Sequence, residues 1–303
     1  MLQNESYTPE EISKLLKVSK LTVYDLIKKG ELQAYRVGRQ MRVDQEELEN
    51  YKSRGKETRL AAPAKESQQS SSSIVISGQD SSLDILGKKM EAQSSKYRPL
   101  RSYAGSLDNL IAMYQGRADI ISTHLFDGDT NEYNIPYIRK FLVSHSFIVV
   151  QFVKRRAGLY TAKGNPHKLS SWEDLKSNKI RMINREKGAG ARVLLDEQLR
   201  IHNISKDELK GYNNEETSHL AVASAVANGK ADVGVGIEQI AKITAIDFIP
   251  MIDESYDLVM LKSGKNQSLI SDVLEVLNNA DFKEELQSLG YDCHGIGQII
   301  WEQ

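Results

Sequence analysis

Four short stretches share a pattern that can do chemistry: an apolar run ends, small polar residues follow, and a helical pattern begins. They are Ser77-Gly-Gln-Asp-Ser-Ser82, Ala104-Gly-Ser106, Asn184-Arg-Glu-Lys-Gly-Ala-Gly190 and Glu216-Thr-Ser218. The chemistry on offer is the binding of an anion. Amides at the start of a helix lack intrahelical partners, hydroxyls add donors, and glycines let a ligand approach the backbone. Taken singly, each serine is better explained as an ordinary helix cap. Taken together, at the carboxyl ends of strands in an open α/β sheet, they lie where ligands gather. Arg185 and Arg192 sit near the start of a helix, where positive charge opposes the dipole by about 0.3 to 1 kcal/mol. A bound anion would compensate them, and so would Asp84, Asp119 or a glutamate of the same domain. If the arginines face a cleft, an organic carboxylate or phosphate suits their planar forks as well as an inorganic oxyanion does.

Other chemistries find less support. The six histidines, His124, His145, His167, His202, His219 and His294, have no metal-ligand spacing, and His124, just after a strand, reads more readily as a cap or surface residue than as a cleft residue. Gly234-Val-Gly236 lacks the third glycine of a dinucleotide loop, and the Gly188-Ala-Gly190 turn lacks the Lys-Ser/Thr of a P-loop. No nucleophile-base arrangement or carboxylate pair can be defended from spacing, so no catalytic residue and no cofactor is expected. The single Cys293 excludes an internal disulfide and fits a reducing compartment.

A second chemistry lies near the N-terminus. Thr8-Pro9-Glu10-Glu11 is a helix start, Ile12, Leu15 and Leu16 fall at helical spacing, and Val18-Ser19 gives a tight turn and a second cap before Leu21, Val23, Leu26 and Ile27. Gly30 ends that helix, residues 34–43 alternate around Gly38-Arg39 as a hairpin, and Asp44 caps a third helix. Between residues 17 and 42 seven lysines and arginines stand against Asp25 and Glu31, a local net charge of +5 within a chain of net charge −1. Residues 12–51 resemble the excisionase-like, MerR-related winged helix-turn-helix. The resemblance implies that the second helix enters the major groove with Lys20, Thr22, Tyr24 and Lys28, and that the wing lays Arg36, Arg39 and Arg42 on an adjacent backbone.

The elements behind these sites divide the 303 residues into a winged helix-turn-helix domain over 1–52, a flexible Ser/Gln/Lys-rich tether over 53–73 and an α/β domain over 74–303. In the last, strands and helices alternate twice, as parallel α/β halves do, with a long apolar strand over 147–153 between them. The expected lobes are 74–150 plus 245–303, and 151–244. The segments GSLDNLIAMYQGRADIISTHL, INREKGAGARVLLDEQL and EETSHLAVASAVANGKADVGVGI resemble the periplasmic-binding-protein-like domain of some regulators, and echo the molybdate-binding branch of the type II binding proteins. That resemblance implies Ser81, Ser106 and Thr217, with the Gly188 and Gly190 backbone, as oxyanion contacts; which serine of 77–82 faces the cleft stays open. The fold class is thus α/β, a small winged helix-turn-helix followed by a bilobed type II periplasmic-binding-protein-like sensor. The function expected is a ligand-responsive, DNA-binding transcription regulator whose sensor takes a small anion, molybdate or tungstate first, an organic carboxylate or phosphate second. Its partners are double-stranded DNA, the anion and a second copy of the chain. With no leader-like or membrane-spanning segment, it is expected to be cytoplasmic. Two rivals are an enzyme on the same bilobed scaffold, which needs titratable groups in the cleft, and a recombination accessory protein, which leaves the larger domain without a role.

Overall fold

The computed structural model describes residues 6–16, 18–28, 30, 32–38, 40–49, 51 and 71–303. The chain divides into two compact units, residues 1–68 and 69–303. Among the described residues no helix is long and apolar enough to cross a membrane.

In the first unit, strand β1 (Ser6–Tyr7) leads into helix α1 (Pro9–Leu16) through a reciprocal cap. The Glu11 carboxylate accepts from the Thr8 amide at 2.8 Å, and the Thr8 hydroxyl accepts from the Glu11 amide at 3.3 Å. Helix α2 (Lys20–Lys28) is capped by Ser19, whose hydroxyl accepts from the Thr22 amide at 3.1 Å. Strands β2 (Tyr35–Val37) and β3 (Gln40–Asp44) pair antiparallel, with β1 on the other edge of β3, and helix α3 follows over residues 45–49. Ile12, Val23, Leu32, Val43 and Leu48 form the buried core. This is the helix-turn-helix with wing that the sequence predicts. Of the expected basic residues, Lys17, Lys29 and Arg39 lie outside the described residues.

The second unit opens with β4 (Ser72–Ser77), so Ser72 and Ser73 belong to a strand and not to the tether expected over 53–73; residues 53–70 of that tether lie outside the described residues. Helix α4 (Ser82–Gln93), β5 (Tyr97–Ser102), α5 (Ser106–Tyr114) and β6 (Ile120–Thr123) complete a parallel β5-β4-β6 sheet. A short hairpin of β7 (Phe126–Asp127) and β8 (Glu132–Tyr133) and helix α6 (Ile135–Phe141) lead to β9 (Phe147–Thr161). The second lobe holds β10 (Met182–Arg185), α7 (Gly190–Ile201), β11 (Glu215–Glu216), α8 (His219–Ala227), β12 (Val233–Ile237) and α9 (Glu238–Thr244). Strand β13 (Asp247–Leu261) returns the chain to helices α10 (Gln267–Asn278) and α11 (Ala280–Ser288) and the last strand β14 (Ile299–Glu302).

One sheet runs through both lobes in the order β11-β10-β12-β9-β13-β6-β4-β5, with β14 also on β9. The 15-residue strands β9 and β13 pair antiparallel from Asp247↔Thr161 to Leu261↔Phe147. The expected lobe boundaries near 150 and 245 are therefore corrected: the chain changes lobe inside two continuous strands. Each lobe buries both faces of its part of the sheet, as parallel sheets must. In the first lobe, one cluster gathers Ile76, Leu86, Val150, Leu258 and Phe282, and the other Leu110, Ile121, Phe147 and Val259. In the second lobe, Leu159, Leu194 and Val235 lie on one face, and Tyr160, Val222 and Ala241 on the other.

Candidate ligand-binding site

Strand β9 is apolar from Phe147 to Val153, apart from Gln151, and then carries Lys154-Arg155-Arg156 into the crossing between the lobes. Side chains alternate along a strand, so the middle residue of this basic triplet points inward. Arg155 is buried, and a buried guanidinium requires carboxylate partners. It has two. Its Nε bonds Glu254 Oε1 at 2.6 Å from the directly opposite position of β13, and its Nη1 makes a short bond to Asp80 Oδ2 from the β4–α4 loop. Burial raises both carboxyl groups, and the Arg155 charge reverses it together with His124 at Glu254 and the Ser82 and Tyr291 hydrogen bonds at Asp80: Glu254 is held at about 2 and Asp80 below the usual carboxylate range. His124 Nδ1 stands 2.9 Å from Glu254 Oε2. The guanidinium also lies over the Tyr256 ring at 4.3 Å from its centre.

Around this network the ends of the first-lobe strands converge. Asp80 Oδ1 accepts from the Ser82 amide at 2.9 Å, the Ser82 hydroxyl at 2.6 Å and the Tyr291 hydroxyl at 2.6 Å, so the N-terminus of α4 carries an acid of the protein itself. Ser122 and Tyr256 hydroxyls bond each other at 2.6 Å. Burial pushes the Tyr256 and Tyr291 hydroxyls well above their usual range, with the neighbouring Asp80 charge adding to it.

A cavity of about 280 Å³ lies against this network between the lobes. Asp80, Ser81, Ser106, His124, Arg155 and Tyr256 line its polar side, and Ser218, His219 and Gln239 enter from the second lobe. Leu220, Ile237, Ile240, Ile243 and Leu289 make an apolar wall. His219 Nδ1 and Gln239 Oε1 are buried and have no hydrogen-bond partner among the described residues. Burial, then the charges of Arg185, Arg155 and His124, drives the His219 pKa far down, so its imidazole is neutral at pH 7. The lobes touch around the cavity. Gln79 bonds Glu186 and Arg185 at 3.0 and 2.6 Å, the Leu107 amide donates to Gly188 O at 3.1 Å, and Gln239 Nε2 donates to Gly290 O at 3.2 Å.

Of the ligand contacts expected from the sequence, Ser81 and Ser106 line the cavity. Ser106 is not a helix cap, since Gly105 holds that position; its buried hydroxyl accepts from the His124 amide at 3.3 Å. Thr217 is not in the lining, where its neighbours Ser218 and His219 stand instead, and its carbonyl accepts from Arg185 at 3.2 Å. Gly188 and Gly190 do not line the cavity either: they form the seam between lobes, and Gly190 packs so closely on the His124 ring that an added Cβ would lie 2.4 Å from it. The two arginines are corrected as well. Arg185 is buried with Glu186 at 2.7 Å, and Arg192 bonds Glu215 at 3.0 Å and Asp196 at 3.2 Å while lying over Tyr212. Neither lines the cavity, and acids of the same domain compensate both. Asp84 and Asp119 serve elsewhere, on Arg101 and on the Val75 amide. Arg155, Glu254, His219 and Gln239 are not legible as site residues in the sequence, where a basic triplet interrupting an apolar strand is the signal for Arg155, and Asp80 is legible only as part of the Ser77–Ser82 junction.

In the first unit Lys20, Thr22, Tyr24, Lys28 and Arg36 are exposed, with Lys20 in a 3.0 Å ion pair to Glu10. Arg42, also expected on the wing, is half-buried and donates to Ser6 O at 3.1 Å, which ties β3 to β1.

A family model described as a PBP superfamily domain matches residues 87–278, which is more than half of the chain. The chain belongs to the PBP superfamily. A helix-turn-helix domain model matches residues 6–56. The relative "Uncharacterized protein YvgK" of Bacillus subtilis is 49% identical over 310 residues, covering 100% of both chains. Among solved structures, an H2O2-bound mutant of OxyR from Corynebacterium glutamicum matches with a TM-score of 0.54 at 11% identity, covering 91% of this chain and 88% of that one. The sulfate-binding protein SubI from Mycobacterium tuberculosis matches with a TM-score of 0.53 at 13% identity, covering 73% and 86%. At these identities the likeness is one of fold.

Proposed function

We propose that this protein is a DNA-binding transcription regulator whose affinity for DNA responds to a small ligand held between the lobes of its PBP superfamily domain. One observation carries the reading: a single chain joins a helix-turn-helix to a bilobed domain with a polar cavity at the lobe crossing. Lys20, Thr22, Tyr24, Lys28 and Arg36 are the DNA contacts in this reading, and Arg39 joins them on the wing. Two copies of the chain read a two-part site, because one small unit buries too little to specify DNA alone. Closure of the lobes changes the spacing of the two DNA-binding units. The protein then acts in the cytoplasm, as a switch and not as an enzyme.

The ligand in this reading is a small anion. The Ser81 and Ser106 hydroxyls support molybdate or tungstate, for which neutral donors suffice, and the sulfate bound by SubI is a tetrahedral relative of these. The apolar wall supports an organic carboxylate or phosphate. The test is anisotropy of the full chain on duplex DNA from its own upstream region, with and without molybdate, tungstate, phosphate and organic acids. A ligand that stabilises the protein should change the DNA dissociation constant, and DNA should change the ligand's by the same factor. Arg36→Ala should lower the slope of log affinity against log salt by about 1. DNA affinity that ignores every stabilising ligand would reject the switch.

A further inference from the structure

The lobe cavity is built for more than a bare oxyanion. Arg155 is the permanent cation among the described lining residues, and both of its carboxylate partners are already in place. The guanidinium is committed to Asp80 and Glu254 before any ligand enters, with His124 beside the other Glu254 oxygen, and Asp80 itself faces the cavity. The α4 N-terminus, whose amides would otherwise receive an oxyanion, is taken by Asp80.

The apolar wall, drawn from the second lobe except for Leu289, asks for a different molecule. Ile237, Ile240, Ile243, Leu220 and Leu289 are apolar, and Ile243, Leu289 and Leu220 expose 73%, 51% and 49% of their surface at its rim. An inorganic anion would leave that surface uncovered, whereas an apolar body would cover it. Gln239 sits in the same wall. Its Nε2 donates to Gly290 O at 3.2 Å, which fixes the amide so that Oε1, an acceptor, is the atom left without a partner. A buried acceptor without a donor is costly, and a ligand that brings one removes the cost.

We infer that the effector is an organic acid with an apolar body and a hydroxyl or amine donor beside its carboxylate, seated with its acid toward Ser81, Ser106 and His219 and its donor on Gln239 Oε1. The inference rests on the proposed role of the cavity as the ligand site. Neutral His219, with its proton on the partnerless Nδ1, donates that N–H to the acid without adding charge. Because Gln239 also bridges the lobes, the donor that bonds Oε1 ties ligand recognition to closure.

The experiment titrates the full chain with two series on fixed skeletons: isocaproate, α-hydroxyisocaproate and leucine, then hydrocinnamate, phenyllactate and phenylalanine, beside molybdate, tungstate and phosphate. Within a skeleton the hydroxy or amino acid is expected to bind at least about tenfold tighter than its parent acid. Gln239→Leu should bring that ratio to about one, a comparison that cancels the loss of the Gly290 contact. Ile243→Ser, at an exposed position that leaves the core intact, should weaken every organic ligand and no inorganic one. Molybdate, tungstate or phosphate binding tighter than all six acids, indifferent to Ile243→Ser, overturns the inference and leaves the sensor reading standing. If no probe binds, the inference falls; if DNA affinity also ignores all of them, the sensor reading falls with it.

Discussion

Two buried carboxylates on β13 answer to pH in opposite directions. Glu254 ionises at about 2 in the folded protein, against 4.5 for the free group, because Arg155 and His124 outweigh its burial. Its contribution is present above pH 4.5 and is lost as pH falls toward 2. Asp257 is raised to about 7 by burial, against 3.8, although Asn134 Nδ2 donates to it at 2.7 Å. Between those values the folded protein holds a proton that the unfolded chain releases, so stability declines as pH rises from about 4 to about 7, by roughly 4 kcal/mol at the full extent. Asp257→Asn should flatten this decline in urea titrations and raise the unfolding midpoint at about pH 8, leaving the acid limb below pH 4.5 in place. A variant with the parent's slope between about pH 4 and about pH 7 would show that Asp257 is ionised in the fold.

Helix starts were legible in the sequence because a cap is a local contract between residues three apart. Thr8 with Glu11, Ser19 with Thr22 and the α4 and α5 boundaries all fall within a residue or two of expectation. Strand β9 was not read past Val153, since Lys154-Arg155-Arg156 looks like a turn or surface until Glu254 and Asp80, some 100 and 75 residues away, are placed beside it. The same pair of strands depends on Gly158. A Cβ there would lie 2.0 Å from Ile249 O, next to the irregular register between Pro250 and Ile252. Gly158→Ala should therefore part β9 from β13 and cost at least about 1 to 3 kcal/mol in urea unfolding. A midpoint equal to the parent's would mean that the strands do not approach so closely.

At the scale of the whole ligand-binding unit, closure rests on few contacts, and one of them is the bare backbone of Gly190 against the His124 ring, itself 2.9 Å from Glu254. Gly190→Ala adds a methyl group that a helix start accepts but the seam does not. The variant should fold, show a larger radius of gyration by small-angle scattering, and lose most of the ligand-induced rise in melting temperature; identical scattering and ligand response would remove this contact from the closing mechanism. Such a seam could not be read along the chain. The sequence by itself determined the winged helix-turn-helix and the α/β grammar, because caps, turns and periodicity are set by neighbours a few residues apart, whereas Ser81 and Ser106 came with the family resemblance. Only the tertiary structure decided that Arg185 and Arg192 are internal ion pairs and that Arg155 governs the crossing. Burial and charge pairing depend on which distant segments meet, and that is fixed by how two long strands pack and not by spacing along either one.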